Sequence, residues 1–292
     1  MAKGCYSPDT IYPASFAKEG AVKKLAVTIA GAGGRMGRAN LAAVLSDDRL
    51  RLAGALDRTD APALGNDAGM LAGEPPLGIT LTDDPAIALE GAQAIIDFTS
   101  PDASVALAEE AASRGLIHII GTTGFAPDHD SAIAEAAKNG ARIVKAGNMS
   151  LGVNLLMGLV KKAAEALGDD FDIEVLEMHH NQKVDAPSGT ALMLGEAAAE
   201  GRGIDLDTHA VKSREGITGA REKGTIGFAT LRGGGVIGEH SVIFASPSER
   251  IELTHKAQDR SLFARGAIAA ALWAADRPAG LYDMHDVLGL RD

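Results

Sequence analysis

Apolar positions follow two regimes along the chain. Over residues 24–146, short apolar runs alternate with longer stretches that carry apolar residues at helical spacing. The pattern predicts strands over 24–30, 50–56, 94–98, 117–120 and 142–146, with helices over 38–45, through Arg114, and over 131–139 between them. Strands alternating with helices imply a parallel sheet with right-handed crossovers. Residues 59–80, rich in Gly, Pro, Ala and Asp, read as an excursion outside that sheet.

A helix over 152–167 ends this regime. Strands are then expected at 172–179, 226–231, 236–244 and 251–257. Gly233, Gly234 and Gly235 supply a positive-φ turn, so the middle two are expected to pair as a hairpin. One helix, beginning after Pro187, interrupts the run, with the proline read as part of its first turn. An alanine-rich helix over 262–275 carries the lone Trp273. The expected fold class is α/β: a Rossmann-type doubly wound parallel sheet with a second α+β domain carrying an open mixed sheet. The changeover near Ser150 is a turn, which suits a hinge between lobes.

Two sites of chemistry stand out. The first strand runs into Gly31, Ala32, Gly33, Gly34, Arg35, Met36 and Gly37, and then into a helix, the setting of a dinucleotide-binding turn. The next strand ends at Asp57-Arg58. An acidic residue there suits the ribose of NAD and an adjacent arginine the 2′-phosphate of NADP, so either cofactor is admissible. Ligands of such sheets sit at the carboxyl ends of the strands. Asp97-Phe98-Thr99, Gly121-Thr122-Thr123 and Ala146-Gly147-Asn148-Met149 all fall there.

The second site is the stretch 177–191, which gathers His179, His180, Lys183 and Asp185 and then starts a helix at Ser188-Gly189-Thr190. A helix start offers free N–H groups to an anion, Gly189 leaves room for one, and Thr190 adds a hydroxyl. Taken singly, a histidine at a strand end is as a rule a satisfied structural group, and a loop lysine a solvated charge. Their joint occurrence favours a site that holds an anionic small molecule and moves protons. An adjacent histidine pair lacks the spaced third and fourth ligands of a zinc site, so no metal is expected.

Composition narrows the partners. The 292 residues carry a net charge of −11, which argues against nucleic acid or an anionic membrane as the main partner. A single cysteine, Cys5, excludes an internal disulfide and fits a reducing, cytoplasmic compartment. Apolar runs are too short for a membrane span. Residues 1–23 lack the apolar core of a secretory signal and are expected to be disordered or loosely packed.

The run Glu177-x-His179-His180-x-x-Lys183-x-Asp185-Ala186-Pro187-Ser188-Gly189-Thr190-Ala191 resembles the signature of the 4-hydroxy-tetrahydrodipicolinate reductase (dihydrodipicolinate reductase) family of lysine biosynthesis, and the likeness extends over about 24–290. The resemblance implies NAD(P)H-dependent reduction of a cyclic imine dicarboxylate, with loss of water. It implies His179 as the acid–base group and Lys183 as the proton donor, with His180, Gly189 and Thr190 on the substrate carboxylates. It also implies cofactor contacts at 31–36, Asp57, Arg58, 121–123 and 146–149, with Met149 where relatives can carry an aromatic. Residues 24–150, joined again by 260–292, then form the dinucleotide lobe, and 151–259 the substrate and oligomerisation lobe. A homotetramer is implied through the second sheet, whose open face is expected to leave Val242 and Phe244 partly exposed. Another two-lobed dehydrogenase, of the aspartate or homoserine type, shares the cofactor lobe but not the His-His-x-x-Lys loop joined to Pro-Ser-Gly-Thr. A nicotinamide-sensing regulator would need no proton donor there.

Overall fold

The structure, a computed structural model, describes residues 24–291; the expectation for residues 1–23 lies outside them. In chain order the first part holds β1 (Leu25–Ala30), α1 (Arg35–Leu45), β2 (Leu50–Leu56), α2 (Ala68–Ala72), β3 (Leu81–Thr82) and α3 (Pro85–Ala88). There follow β4 (Ala94–Asp97), α4 (Pro101–Arg114), β5 (Ile117–Ile120), α5 (Pro127–Lys138) and β6 (Arg142–Lys145). The second part runs α6 (Leu151–Leu167), β7 (Asp172–His179), α7 (Gly189–Arg202), α8 (Leu206–His209), β8 (Ala210–Val211), β9 (Ile226–Arg232), β10 (Glu239–Ala245) and β11 (Arg250–Lys256). The chain closes with α9 (Ser261–Ala274), β12 (Gly280–Tyr282) and α10 (Met284–Leu288).

Every pairing in the first sheet is parallel, in the order β12-β6-β5-β4-β1-β2-β3. β1, β4 and β5 are buried along their whole length, as strands covered by helices on both faces must be. Between β1 and β4 the strand order reverses, and a crevice opens at their carboxyl ends. The chain returns late to this sheet: β12 pairs with β6, and α9 packs its alanine face into the same core. Gly266 allows that approach, since a Cβ there would overlap the Met149 carbonyl.

The second sheet has the order β11-β10-β7-β9-β8, with β7 and β9 parallel and β10 antiparallel to both β7 and β11. The expected hairpin between 226–231 and 236–244 is therefore absent, because β7 lies between those two strands. Placing β7 in the middle buries Val175 between its partners Phe228 and Val242, which a direct hairpin would forfeit. The glycine turn serves another purpose. With Gly234 at φ 53° it passes over the end of β7, where Gly233 N–H donates to the His179 carbonyl and Asn181 N–H to the Gly234 carbonyl. Strand β10 consequently starts at Glu239 rather than at 236.

One face of this sheet packs on α6 and α7. Val242 and Phe244 belong to that face and are fully buried, contrary to the expected partial exposure. The other face carries Leu176, Met178 and Ile243, half-buried, with Leu231 exposed. Period-2 alternation decides this, since Val242 and Phe244 share parity with buried His240. The helix after Pro187 also differs from expectation. Ser188 is its N-cap, accepting from Ala191 N–H at 3.1 Å, so Pro187 precedes the helix.

Candidate active site

The first-lobe crevice has a volume of about 970 Å³ and is walled by the β1–α1 turn, the end of β2 and one side of α4. Gly31, Gly33, Gly34, Asp57 and Arg58 all line it. Gly31 adopts φ 72°, and Gly33 N–H donates to Asp57 Oδ2 at 2.8 Å, tying the turn to the end of β2. Gly37 has no room for a side chain: a Cβ would overlap the Gly31 carbonyl where α1 crosses β1. Arg58 is exposed and pairs with Asp60 at 2.9 Å. Phe98, Thr99 and Ser100 complete the wall below, and Arg38 joins from α1.

The remaining predicted cofactor residues are arranged less uniformly. Ala32 is fully buried, Arg35 is exposed and Met36 half-buried; none of the three lines the crevice. The 121–123 and 146–149 segments flank it at the same end of the sheet, without lining it. Thr122 is buried, where its hydroxyl accepts from Thr99 N–H at 2.9 Å. Met149 turns its side chain into the first-lobe core at 1 % exposure, so it offers no stacking surface where an aromatic was the comparison. Asp97 likewise faces inward, paired with fully buried His118 at 3.1 Å.

Asn148 joins the two lobes. Its Nδ2 donates to Thr190 Oγ1 at 3.0 Å, while its Oδ1 accepts from Ser150 N–H and its carbonyl from Asn154 Nδ2. Around that contact the 177–191 unit takes shape. Strand β7 ends at His179, so His180 lies in the loop and is freed from strand alternation. Lys183 Nζ meets both Asp185 oxygens, at 2.8 and 2.9 Å. Among the described residues no acceptor meets the N–H of Gly189 or Thr190 at the start of α7. These two donors, with Lys183 close in sequence, are of the kind that can cradle an anion.

Beside these donors, His179 belongs to a polar cluster with Glu177, Arg232 and His240, three residues for which the sequence suggested no role. The Glu177 carboxylate is 1 % exposed. Its Oε1 accepts from Ser188 N–H at 3.1 Å, Thr230 Oγ1 at 3.3 Å and Arg232 Nη2 at 3.0 Å. Its Oε2 accepts from Arg232 Nη1 at 2.8 Å and lies 2.5 Å from His179 Nδ1. Burial would raise this carboxyl, but Arg232, His179 and Ser188 outweigh it and hold it below its ordinary range. His179 is lowered, mainly by burial, although Glu177 pulls it upward. His240 packs edge-on against it, ring centroids 5.0 Å apart, and bonds Ser188 Oγ at 3.1 Å. Burial and the neighbouring His179 push His240 down to about 4. Arg232 sits fifty-five residues from Glu177, so no local spacing could have paired them. The one sequence signal was Glu177 two positions before His179, on the same face of a strand.

Comparisons with known proteins agree with this architecture. Residues 25–149 match the family model described as "Dihydrodipicolinate reductase, N-terminus", and residues 152–288 match "Dihydrodipicolinate reductase, C-terminus". The 4-hydroxy-tetrahydrodipicolinate reductase of Brucella melitensis is 58 % identical over 267 residues, which is 91 % of this chain and 99 % of the relative. That of Methylocella silvestris is 56 % identical over 266 residues, covering 91 % and 97 %. Among solved structures, a dipicolinate-bound dihydrodipicolinate reductase from Paenisporosarcina sp. TG-14 superposes with a TM-score of 0.73 at 24 % identity, covering 89 % of this chain and 98 % of that one. An amine dehydrogenase from Mycobacterium smegmatis shares the fold more loosely, with a TM-score of 0.58 at 13 % identity over 88 % and 94 % of the two chains. Both halves of the chain, and nine-tenths of its length at more than half identity, place it in the dihydrodipicolinate reductase family.

Proposed function

We infer that this chain reduces 4-hydroxy-tetrahydrodipicolinate to tetrahydrodipicolinate with loss of water, in the diaminopimelate branch of lysine biosynthesis. The family is one of NAD(P)H-dependent oxidoreductases, and the first lobe suits such a cofactor. A Cβ at Gly33 would press on Asp57 and Ala63 at 2.9 and 3.0 Å, so the turn keeps its surface bare for a pyrophosphate. Gly31, Gly33 and Gly34 would hold that group, Asp57 the adenosine ribose, and Arg58 a 2′-phosphate when present. When bound, the reduced nicotinamide supplies the hydride.

The observation that carries this reading is the 177–191 unit, with its proton-bearing side chains beside two free N–H groups and its bond to the Asn148 turn. Gly189, Thr190 and His180 take the substrate carboxylates. Lys183 leaves Asp185 for the dianionic substrate and protonates the atom made electron-rich by reduction. His179 is the acid–base group of the same site, giving a proton as the hydroxyl leaves and taking back the one that the neighbouring ring carbon loses. One hydride and one proton enter, and one water departs. Residues 24–150 with the C-terminal segment are the cofactor lobe in this reading, and 151–259 the substrate lobe.

Self-association into a tetramer would use the open face of the second sheet, a reading supported by half-buried Leu176, Met178 and Ile243 and exposed Leu231. Among the described residues no helix is long and apolar enough to cross a membrane. The lone cysteine of the chain and its acidic balance fit the cytoplasm. The test is reduced-nicotinamide consumption by purified protein when the aldol product of pyruvate and aspartate semialdehyde is supplied. Consumption with aspartate semialdehyde alone would instead favour a dehydrogenase of the aspartate or homoserine type.

A further inference from the structure

Glu177 makes more hydrogen bonds than a carboxylate needs merely to be tolerated in a core. Both its oxygens are engaged by Arg232, whose Nη2 also donates to the Asp185 carbonyl at 2.7 Å. Ser188 N–H, at the cap of α7, and the Thr230 hydroxyl, on β9, complete Oε1. A carboxylate fixed by a bidentate guanidinium stays ionised and remains an acceptor. The short contact to His179 Nδ1 therefore has one polarity: the ring donates and Glu177 accepts.

A neutral imidazole with its proton on Nδ1 carries its lone pair on Nε2. The Nε2 edge of His179 lies beside Gly238, where a Cβ would stand 3.1 Å away, so the absent side chain leaves that edge open. Among the described residues no partner meets His179 Nε2. His240, the only other imidazole in ring contact, is tied through Nε2 to Ser188 Oγ.

We propose that Glu177, clamped by Arg232, is the positioning residue of His179: it fixes the Nδ1–H tautomer and leaves Nε2 to exchange the proton with substrate. The proposal rests on the acid–base role given to His179 above, but the tautomer and its cause are separable from that role. Groups facing His179 come from several elements. Glu177 lies on β7, Arg232 on β9, His240 on β10, and His180 with the Lys183–Asp185 pair on the following loop; His255 on β11 stands behind His240. Of these, Glu177 favours the imidazolium, while Lys183 and Arg232 oppose it. Removing Glu177 and removing Arg232 should therefore move His179 in opposite directions, which a purely structural clamp would not do.

The experiment is a histidine-resolved NMR titration of the full-length protein, with ring ¹⁵N shifts read in the wild type, in Glu177→Gln and in Arg232→Met, alongside kcat against pH. In the wild type neutral His179 should show the Nδ1–H form. In Glu177→Gln that form should be lost and the His179 pKa should fall by about one unit or more, with the high-pH limb of kcat moving down by the same amount. In Arg232→Met the pKa should rise. An unchanged tautomer and pKa in Glu177→Gln would overturn the proposal, as would a fall in Arg232→Met. Should Glu177→Gln not fold, the sign of the shift in Arg232→Met decides alone. His179→Gln separates the two levels. Near wild-type kcat in that variant would remove His179 from the chemistry, whatever its tautomer.

Discussion

Lys183 Nζ is held between both oxygens of the Asp185 carboxylate, at 2.8 and 2.9 Å. The ammonium holds Asp185 below its ordinary carboxylate range. Lys183 is thus held on Asp185 by a side chain that is 20 % exposed. In the proposed reaction a substrate carboxylate would take the place of Asp185, so that recognition and proton supply would fall to the same atom.

Lys183→Met keeps the stem and removes both charge and proton. We expect kcat to fall by about 10²–10⁴ with the fold intact, and NADPH binding to be little altered. Single-turnover hydride transfer at saturating substrate is the check. Rates close to wild type there would leave Lys183 as a binding residue only.

Cofactor choice should turn on Arg58. Its guanidinium is exposed at the mouth of the crevice and pairs with an equally exposed Asp60, so it is free to be recruited by a phosphate. A charge-assisted bond is worth about 1.5–3 kcal/mol, so Arg58→Ala should cost NADPH roughly tenfold or more relative to NADH. Comparing KM for the two cofactors decides; equal losses would show that Arg58 does not read the phosphate.

The buried Asp97–His118 pair should dominate the acid sensitivity of the first lobe. Burial alone would raise Asp97, but hydrogen bonds from His118, Ser104 and Thr99 hold it below its ordinary value. A carboxyl depressed in the folded state adds stability that is present above its unfolded pKa, about 3.9. That stability is lost as pH falls through the lower folded value. His118→Ala strands the charge, so we expect a loss of about 3–5 kcal/mol near neutrality. Its acid unfolding should also begin at higher pH than in the wild type. Urea titrations followed by circular dichroism at several pH values would measure both; a shift of acid unfolding to lower pH would contradict the sign.

Association should depend on the open face of the second sheet. Leu231 is 48 % exposed there and Ile243 shares its side, while Val242 and Phe244 face α6 and α7. Leu231→Glu with Ile243→Glu should yield a smaller species by sedimentation velocity without loss of helix content. Retention of the wild-type assembly would place the interface elsewhere.

The sequence by itself determined the first lobe and the reactive loop, because both are written in local terms. Strand, glycine turn and helix succeed each other within twenty-two residues of Leu25, and Gly37 is demanded by a contact with a carbonyl only six residues away. The loop from His179 to Thr190 likewise gathers its candidate groups in a dozen consecutive positions. The tertiary structure alone decided what depends on strand neighbours. Alternation gave β9 and β10 as strands but left their partners open, and the glycine run between them suggested a hairpin. Burying Val175 on both sides instead drew β7 between them. That one choice set Arg232 beside Glu177 and His240 against His179. Periodicity specifies which face of a strand is apolar, whereas the identity of its neighbours is settled by burial summed across the whole sheet.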